Sequence, residues 1–200
     1  MKKLEYSKSS IFKKQLEKFC LNANASNKIS DVVEDVLKSV KDKGDKAVIA
    51  FSEMYDGVKF KLSDLKVSSS ELKNAQNAIS PSDKRRIKQS ISTIKEFHKN
   101  TIPKNWSKVN IHGGKVGERF YPISRVGIYV PGGNAPLIST VLMTVLLAKI
   151  AGCKEIVAFT PPRKSGSLSP QMLAVFSMVG INEIYKVGGA QAIGAMAYGT

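Results

Sequence analysis

Two glycine-rich runs stand out as residues able to hold a ligand. Pro131-Gly132-Gly133-Asn134-Ala135-Pro136 and Gly188-Gly189-Ala190-Gln191 each follow a short apolar run and precede a helical one. Glycine lets a ligand approach the backbone closely, and the first turn of the following helix presents amides that no intrahelical carbonyl satisfies. Such a turn suits a nucleotide or another phosphorylated ligand. Neither run has the G-x-G-x-x-G spacing of the common dinucleotide fingerprint or the spacing of a P-loop. Tight strand-to-helix turns demand the same glycines, and the pattern alone leaves both readings open.

Other chemistry-bearing side chains are sparse. His98 and His112 are the only histidines. One lies on a helical face, the other beside a turn, and neither has a carboxylate at ligand spacing, which argues against a metal site built on them. Cys153 beside Lys154 is a candidate for a mildly activated thiol, although a small buried residue at a helix–strand junction is the simpler reading. Ser139 and Thr140 open a helical run, where donation to a ligand and helix capping fit equally well. No histidine lies close enough in sequence to suggest a nucleophile–base pair.

The elements that carry the glycine runs follow from the texture around them. Residues 125–130 form a near-continuous apolar strand of the kind buried on both faces of a parallel sheet. An apolar helix is expected over 137–151, ending at Gly152. A second strand over 155–160, a loop over 161–169 and a helix over 170–179 repeat the pattern. A third strand over 183–187 leads into a small-residue helix running to the end of the sequence. This alternation predicts an α/β fold with a parallel, helix-covered sheet. Ligands of such sheets sit outside the carboxyl ends of the strands, here after Val130, Thr160 and Val187. A sheet ending at its third strand leaves an apolar edge, which is an aggregation liability.

Before these strands the periodicity changes. Val109-Asn110-Ile111-His112 alternates, Gly113-Gly114 offers a tight turn, and 115–121 runs back, which predicts a hairpin. The first hundred residues read as mainly helical. Val32, Val33, Val36, Leu37 and Val40 give one amphipathic face, with Ser30 as N-cap and Gly44 past its end. Asp45 can cap a second helix facing inward through Val48, Phe51 and Tyr55, and Asp56-Gly57 supplies a turn. Residues 58–67 read as a strand or loop. Ser80-Pro81-Ser82-Asp83 opens a helix with Ile87, Ile91, Ile94 and Phe97 or His98 inward.

Bulk composition removes some function classes. The formal charge is +15, but the excess is mostly lysine spread along the chain, without the clustered charge and interleaved aromatics of a nucleic-acid module. No apolar run is long enough to span a membrane, and the first residues do not form a secretory signal. Two scattered cysteines fit a reduced, cytoplasmic setting.

Read as a signature, several of these runs resemble the histidinol dehydrogenase family. Arg125-Val-Gly-Ile-Tyr-Val-Pro-Gly-Gly-Asn-Ala-Pro136 is similar to the opening of that family's core. Ser139-Thr-Val-Leu-Met143, Ala148-Lys-Ile-Ala-Gly-Cys-Lys-Glu-Ile156 and Thr160-Pro-Pro162 follow in order. Val187-Gly-Gly-Ala-Gln-Ala-Ile193 with Ala197-Tyr-Gly-Thr200 matches its second glycine motif. Val40-Lys-Asp-Lys-Gly-Asp-Lys-Ala47, Tyr55-Asp-Gly-Val58 and Ile94-Lys-Glu-Phe-His98, before Pro103 and Trp106, extend the likeness into the first half.

The resemblance implies a zinc-requiring, NAD-dependent homodimer that oxidises L-histidinol through the aldehyde to L-histidine. It implies a helical region over 1–106 and, over 107–200, the first part of a Rossmann-like NAD-binding domain with helices on both faces. Tyr129 and Gln191 match family positions that contact NAD, and both fall near carboxyl ends of predicted strands. The family's zinc ligands, its acid–base pair and most substrate contacts lie in the second half of a longer chain. These 200 residues alone are therefore expected to be inert, as a fragment, a truncated product or half of a split enzyme. A non-catalytic nucleotide-binding module is the alternative.

Overall fold

The computed structural model describes Tyr6 and residues 9–23, 27–132 and 137–200. The chain begins with helices α1 (Ser9–Ala23), α2 (Asn27–Lys43) and α3 (Asp45–Phe51), the last continuing into a π turn, Ser52–Asp56. Short helices α4 (Leu62–Leu65) and α5 (Ser69–Ala75) precede the long α6 (Pro81–Lys99). A hairpin, β1 (Trp106–Val109) and β2 (Lys115–Glu118), leads to the α/β part. That part runs β3 (Arg125–Tyr129), α7 (Ile138–Ile150), β4 (Glu155–Phe159), α8 (Pro170–Met178), β5 (Ile184–Tyr185) and α9 (Gly189–Tyr198).

Strands β3, β4 and β5 are parallel and adjacent in chain order. Because successive side chains of a strand point to opposite faces, the apolar strands feed two cores. Val126, Ile128, Val130, Ile156, Ala158 and Ile184 pack with α5, α7 and α8 on one face. Tyr129, Phe159 and Tyr185 pack with α2, α3 and α9 on the other. The α/β reading therefore holds, with helices on both faces of the sheet. Helix α7 is apolar nearly all round, as a helix buried between layers must be. It buries Val141, Leu142, Val145 and Leu146, and α6 lies across it with Ile87, Ile91 and Ile94 half-buried.

Local chemistry explains several boundaries. Ser80 caps α6 by accepting from the Asp83 amide at 3.1 Å, with Pro81 preset for the first turn. Ser68 caps α5 in a full capping box with Glu71. Gly44, Gly57, Gly152, Gly180 and Gly199 all take positive φ at helix or turn ends.

Some expectations are corrected. Helix α2 begins at Asn27, so Ser30 lies inside it and does not cap it. Val36 and Val40 are buried, Val40 lying with Leu37 against Gly194 of α9, whereas Val32 and Val33 are exposed. Gly44 is the N-cap of α3 and Asp45 follows it as the first acidic residue of that helix. Tyr55 is exposed instead of inward-facing, and of the two alternatives on α6 Phe97 is exposed and His98 half-buried. The hairpin strand starts at Trp106, and Asn110 begins the turn by accepting from the amides of His112 and Gly114. Strand β5 is two residues long, not five. Helix α9 closes at Gly199, which takes φ +75°.

The expected bare edge beside β5 is covered. Residues 65–67 run antiparallel to it, the Val67 amide donating to the Ile184 carbonyl at 2.8 Å and the Lys186 amide to that of Leu65 at 2.7 Å. The buried Lys186 ammonium reaches Glu71 Oε1 at 3.0 Å, joining α5 to the same edge. Burial tends to raise the Glu71 carboxyl, but the Ser68 amide and Lys186 outweigh it and hold the group below its ordinary value.

Candidate functional site

The three carboxyl ends of the strands converge on Pro161, which follows β4. A Cβ added to Gly132, after β3, would stand 2.5 Å from Pro161 Cγ. One added to Gly188, after β5, would stand 2.5 Å from Pro161 Cβ and 3.2 Å from Asp56 Oδ1. Glycine at these points is required by close packing, so the turn reading of the sequence has a physical basis. It does not exhaust the site. Gly133, Asn134, Ala135 and Pro136, the rest of the first glycine run, lie outside the described residues.

Tyr129 and Gln191 meet at the second glycine run. The Gly189 amide, the first of α9, donates to the Tyr129 hydroxyl at 3.3 Å. Gly189 has φ +62°, and a Cβ there would lie 2.5 Å from Gln191 Oε1, so the carboxamide folds back over the turn. Gln191 is 1% exposed, and among the described residues neither its Oε1 nor its Nε2 has a partner. An unpaired buried amide costs about 1–3 kcal/mol per group unless water or another group completes it.

Two further residues at this junction are not site candidates in the sequence reading. Ser52 Oγ and Asp56 Oδ2, one turn apart in the π turn, are likewise buried without partners. Among the described residues, every buried side-chain polar atom lacking a partner belongs to Ser52, Asp56 or Gln191. Burial pushes the Asp56 carboxyl up, with the Gly188 backbone amide acting in the opposite direction. Asp56-Gly57 reads in sequence as an ordinary turn, and nothing in its spacing announces a buried carboxylate.

The remaining candidates lie elsewhere. His98 Nδ1 is 3.3 Å from the Thr101 hydroxyl at the end of α6, and His112 is exposed in the hairpin turn. Cys153 precedes β4 and so sits at the opposite end of the sheet. Ser139 and Thr140 occupy the first turn of α7. A cleft of about 740 Å³ runs along the α9 face of the sheet, from Arg125 and Gly127 on β3 to Phe159 and Tyr185 at the carboxyl ends of β4 and β5, with Val157 and Met196 among its other lining residues. Among the described residues, no three histidine, cysteine or acidic side chains gather where a metal could bind.

Comparison with known proteins agrees with this arrangement. Residues 21–200 match the family model described as histidinol dehydrogenase. The chain is 40% identical over 168 residues to the histidinol dehydrogenase of Symbiobacterium thermophilum, covering 84% of this chain and 38% of that one. It is 43% identical to the Geobacillus kaustophilus enzyme, again over 84% of this chain and 39% of the relative. The crystal structure of histidinol dehydrogenase from Elizabethkingia anophelis superposes with a TM-score of 0.82 at 37% identity, over 88% of this chain and 40% of that one. The chain thus spans about two fifths of the length of these relatives. With the match running through the helical region, the sheet and both glycine runs, the chain belongs to the histidinol dehydrogenase family.

Proposed function

We propose that these 200 residues supply the nucleotide-binding part of an NAD-dependent histidinol dehydrogenase of histidine biosynthesis. The observation that carries this reading is the buried, unpaired Gln191 carboxamide folded over Gly189, whose amide Tyr129 holds. The β3–β4–β5 order, with helices on both faces, suits the first half of a Rossmann-like sheet, which binds its nucleotide at the carboxyl ends of the strands. Gln191 offers a donor and an acceptor to the ligand. Tyr129 keeps the first turn of α9 in register and leaves a hydroxyl proton to donate. Gly132 and Gly188 keep side chains away from the backbone surface. When bound, NAD accepts hydride, and the full oxidation of L-histidinol to L-histidine takes two such transfers.

The residues present do not fit zinc, since no metal-ligating group assembles among those described. No step through the metal is assigned to them. Zinc binding, the acid–base step, recognition of L-histidinol and homodimer formation are proposed to rest on sequence that the relatives carry beyond the matched two fifths. A cytoplasmic setting without a nucleic-acid partner goes with this biosynthetic role. Among the described residues no helix is long and apolar enough to cross a membrane.

Calorimetric titration of the chain with NAD tests the reading. Saturable binding that weakens in Gln191→Ala and Tyr129→Phe is the expected result; absence of binding overturns it. In an enzyme of the relatives' full length, the same substitutions should raise the NAD requirement without releasing zinc.

A further inference from the structure

The helical region reaches into the nucleotide site through one side chain. Asp56 ends the π turn that extends α3, and π turns inside helices recur at functional positions because they displace side chains from the regular helical path. Its Oδ1 lies against Gly188, where an added Cβ would come within 3.2 Å of it. Its Oδ2 is buried without a partner, and so is the hydroxyl of Ser52 one turn earlier. The carboxylate therefore stands beside the first turn of α9 with one oxygen engaged by the fold and one left over.

We propose that Asp56 is a ligand-binding residue, accepting hydrogen bonds from the vicinal hydroxyls of a ribose through the oxygen that none of the described residues satisfies. This rests on the nucleotide reading above and goes beyond it by naming the part of the ligand held. A carboxylate only accepts, so what completes it must donate. A phosphate carries the same sign of charge and is disfavoured beside it. A metal ion is disfavoured because, among the described residues, no further ligating groups gather there. A ribose supplies two adjacent hydroxyl donors, the group that acidic residues hold in other dinucleotide sites. The location differs from that pattern: the acid comes from a helix packed over the sheet, not from a strand end.

The substitution Asp56→Asn tests the atoms directly. The Gly188 amide needs an acceptor, which the amide oxygen supplies, so the NH2 group replaces Oδ2 and an acceptor becomes a donor. Because burial already disfavours the charged form, the neutral isostere should fold with unchanged or higher thermal stability. NAD is compared by calorimetry with two analogues, one lacking both hydroxyls of the adenosine ribose and one lacking both on the nicotinamide ribose.

In the parent chain one analogue should bind about tenfold or more weakly than NAD, the loss expected for hydrogen bonds to a charged group, and its identity tells which ribose is held. In Asp56→Asn that discrimination should disappear while the melting temperature is maintained. If the parent binds NAD but does not discriminate against either analogue, or if Asp56→Asn keeps the full discrimination, the inference fails and the nucleotide reading stands. If the parent binds no NAD, both fall together. Asp56→Glu guards against misfolding as an explanation: it should retain part of the discrimination, whereas a purely structural role predicts that all three ligands weaken equally.

Discussion

The two ends of the parallel sheet are built differently. At the amino ends of β3, β4 and β5 the charges are matched: Arg125 donates to Glu155 and, at 2.8 Å, to Glu183. These hydrogen bonds, the one accepted by Glu155 foremost, hold the guanidinium above its ordinary pKa. Arg125 is about half exposed, so each pair contributes only about 0–1 kcal/mol to stability. At the carboxyl ends, Gln191, Asp56 and Ser52 keep four polar atoms buried without partners. Selection for stability alone would put apolar groups there, since each unpaired atom costs about 1–3 kcal/mol. On the proposed nucleotide reading, the difference separates an end that closes the fold from an end arranged to receive a ligand.

The contrast is broken most severely at Gly188. Gly188→Ala drives a Cβ into the Pro161 ring, which cannot swing away as a flexible side chain could. The expected result is destabilisation by about 1–3 kcal/mol, read by chemical denaturation, together with loss of measurable NAD binding. The equivalent disturbance at the amino end should leave binding alone. Next in size is Lys186→Met, which strands Glu71 and loosens the segment covering β5. It should cost about 1–3 kcal/mol without changing NAD affinity once the chain is folded.

The same pair gives the sheet edge a pH dependence. The folded-state pKa of Glu71 lies below its unfolded value, so its contribution is present above the ordinary carboxylate range and is lost as the pH falls through the depressed value. Melting temperature followed from neutral into acid should drop in the parent and drop less steeply in Lys186→Met. The smallest effect belongs to Arg125→Gln. It should cost at most about 1 kcal/mol, more at low salt than at high, and leave nucleotide binding unchanged.

How much of this was legible in the sequence depends on whether the signal is local. The apolar run of β3 and the caps at Ser80 and Gly152 act within a few residues, so their positions follow from the chain itself. Strand β5 is shorter than its apolar run because pairing, not composition, decides its length, and β4 meets only Ile184 and Tyr185. Residues 65–67 were ambiguous because their partner lies about 120 positions away, near Ile184. The site shows the same division. Tyr129 and Gln191 could be named from family motifs, and the glycine runs from turn chemistry. Asp56 lies in one of the family runs, Tyr55-Asp-Gly-Val58, but its type and spacing read only as a turn, because burial of its carboxylate arises only when α3 is extended by a π turn and laid against Gly188.

The most direct test is a melting curve of Gln191→Leu with and without NAD. Leucine nearly matches the volume of glutamine and removes both unpaired polar ends. Without NAD the variant should melt above the parent, and added NAD should raise its melting temperature much less than it raises the parent's. A variant that melts below the parent yet keeps the full NAD-dependent rise would contradict the account, because the Gln191 carboxamide would then serve the fold and not the ligand.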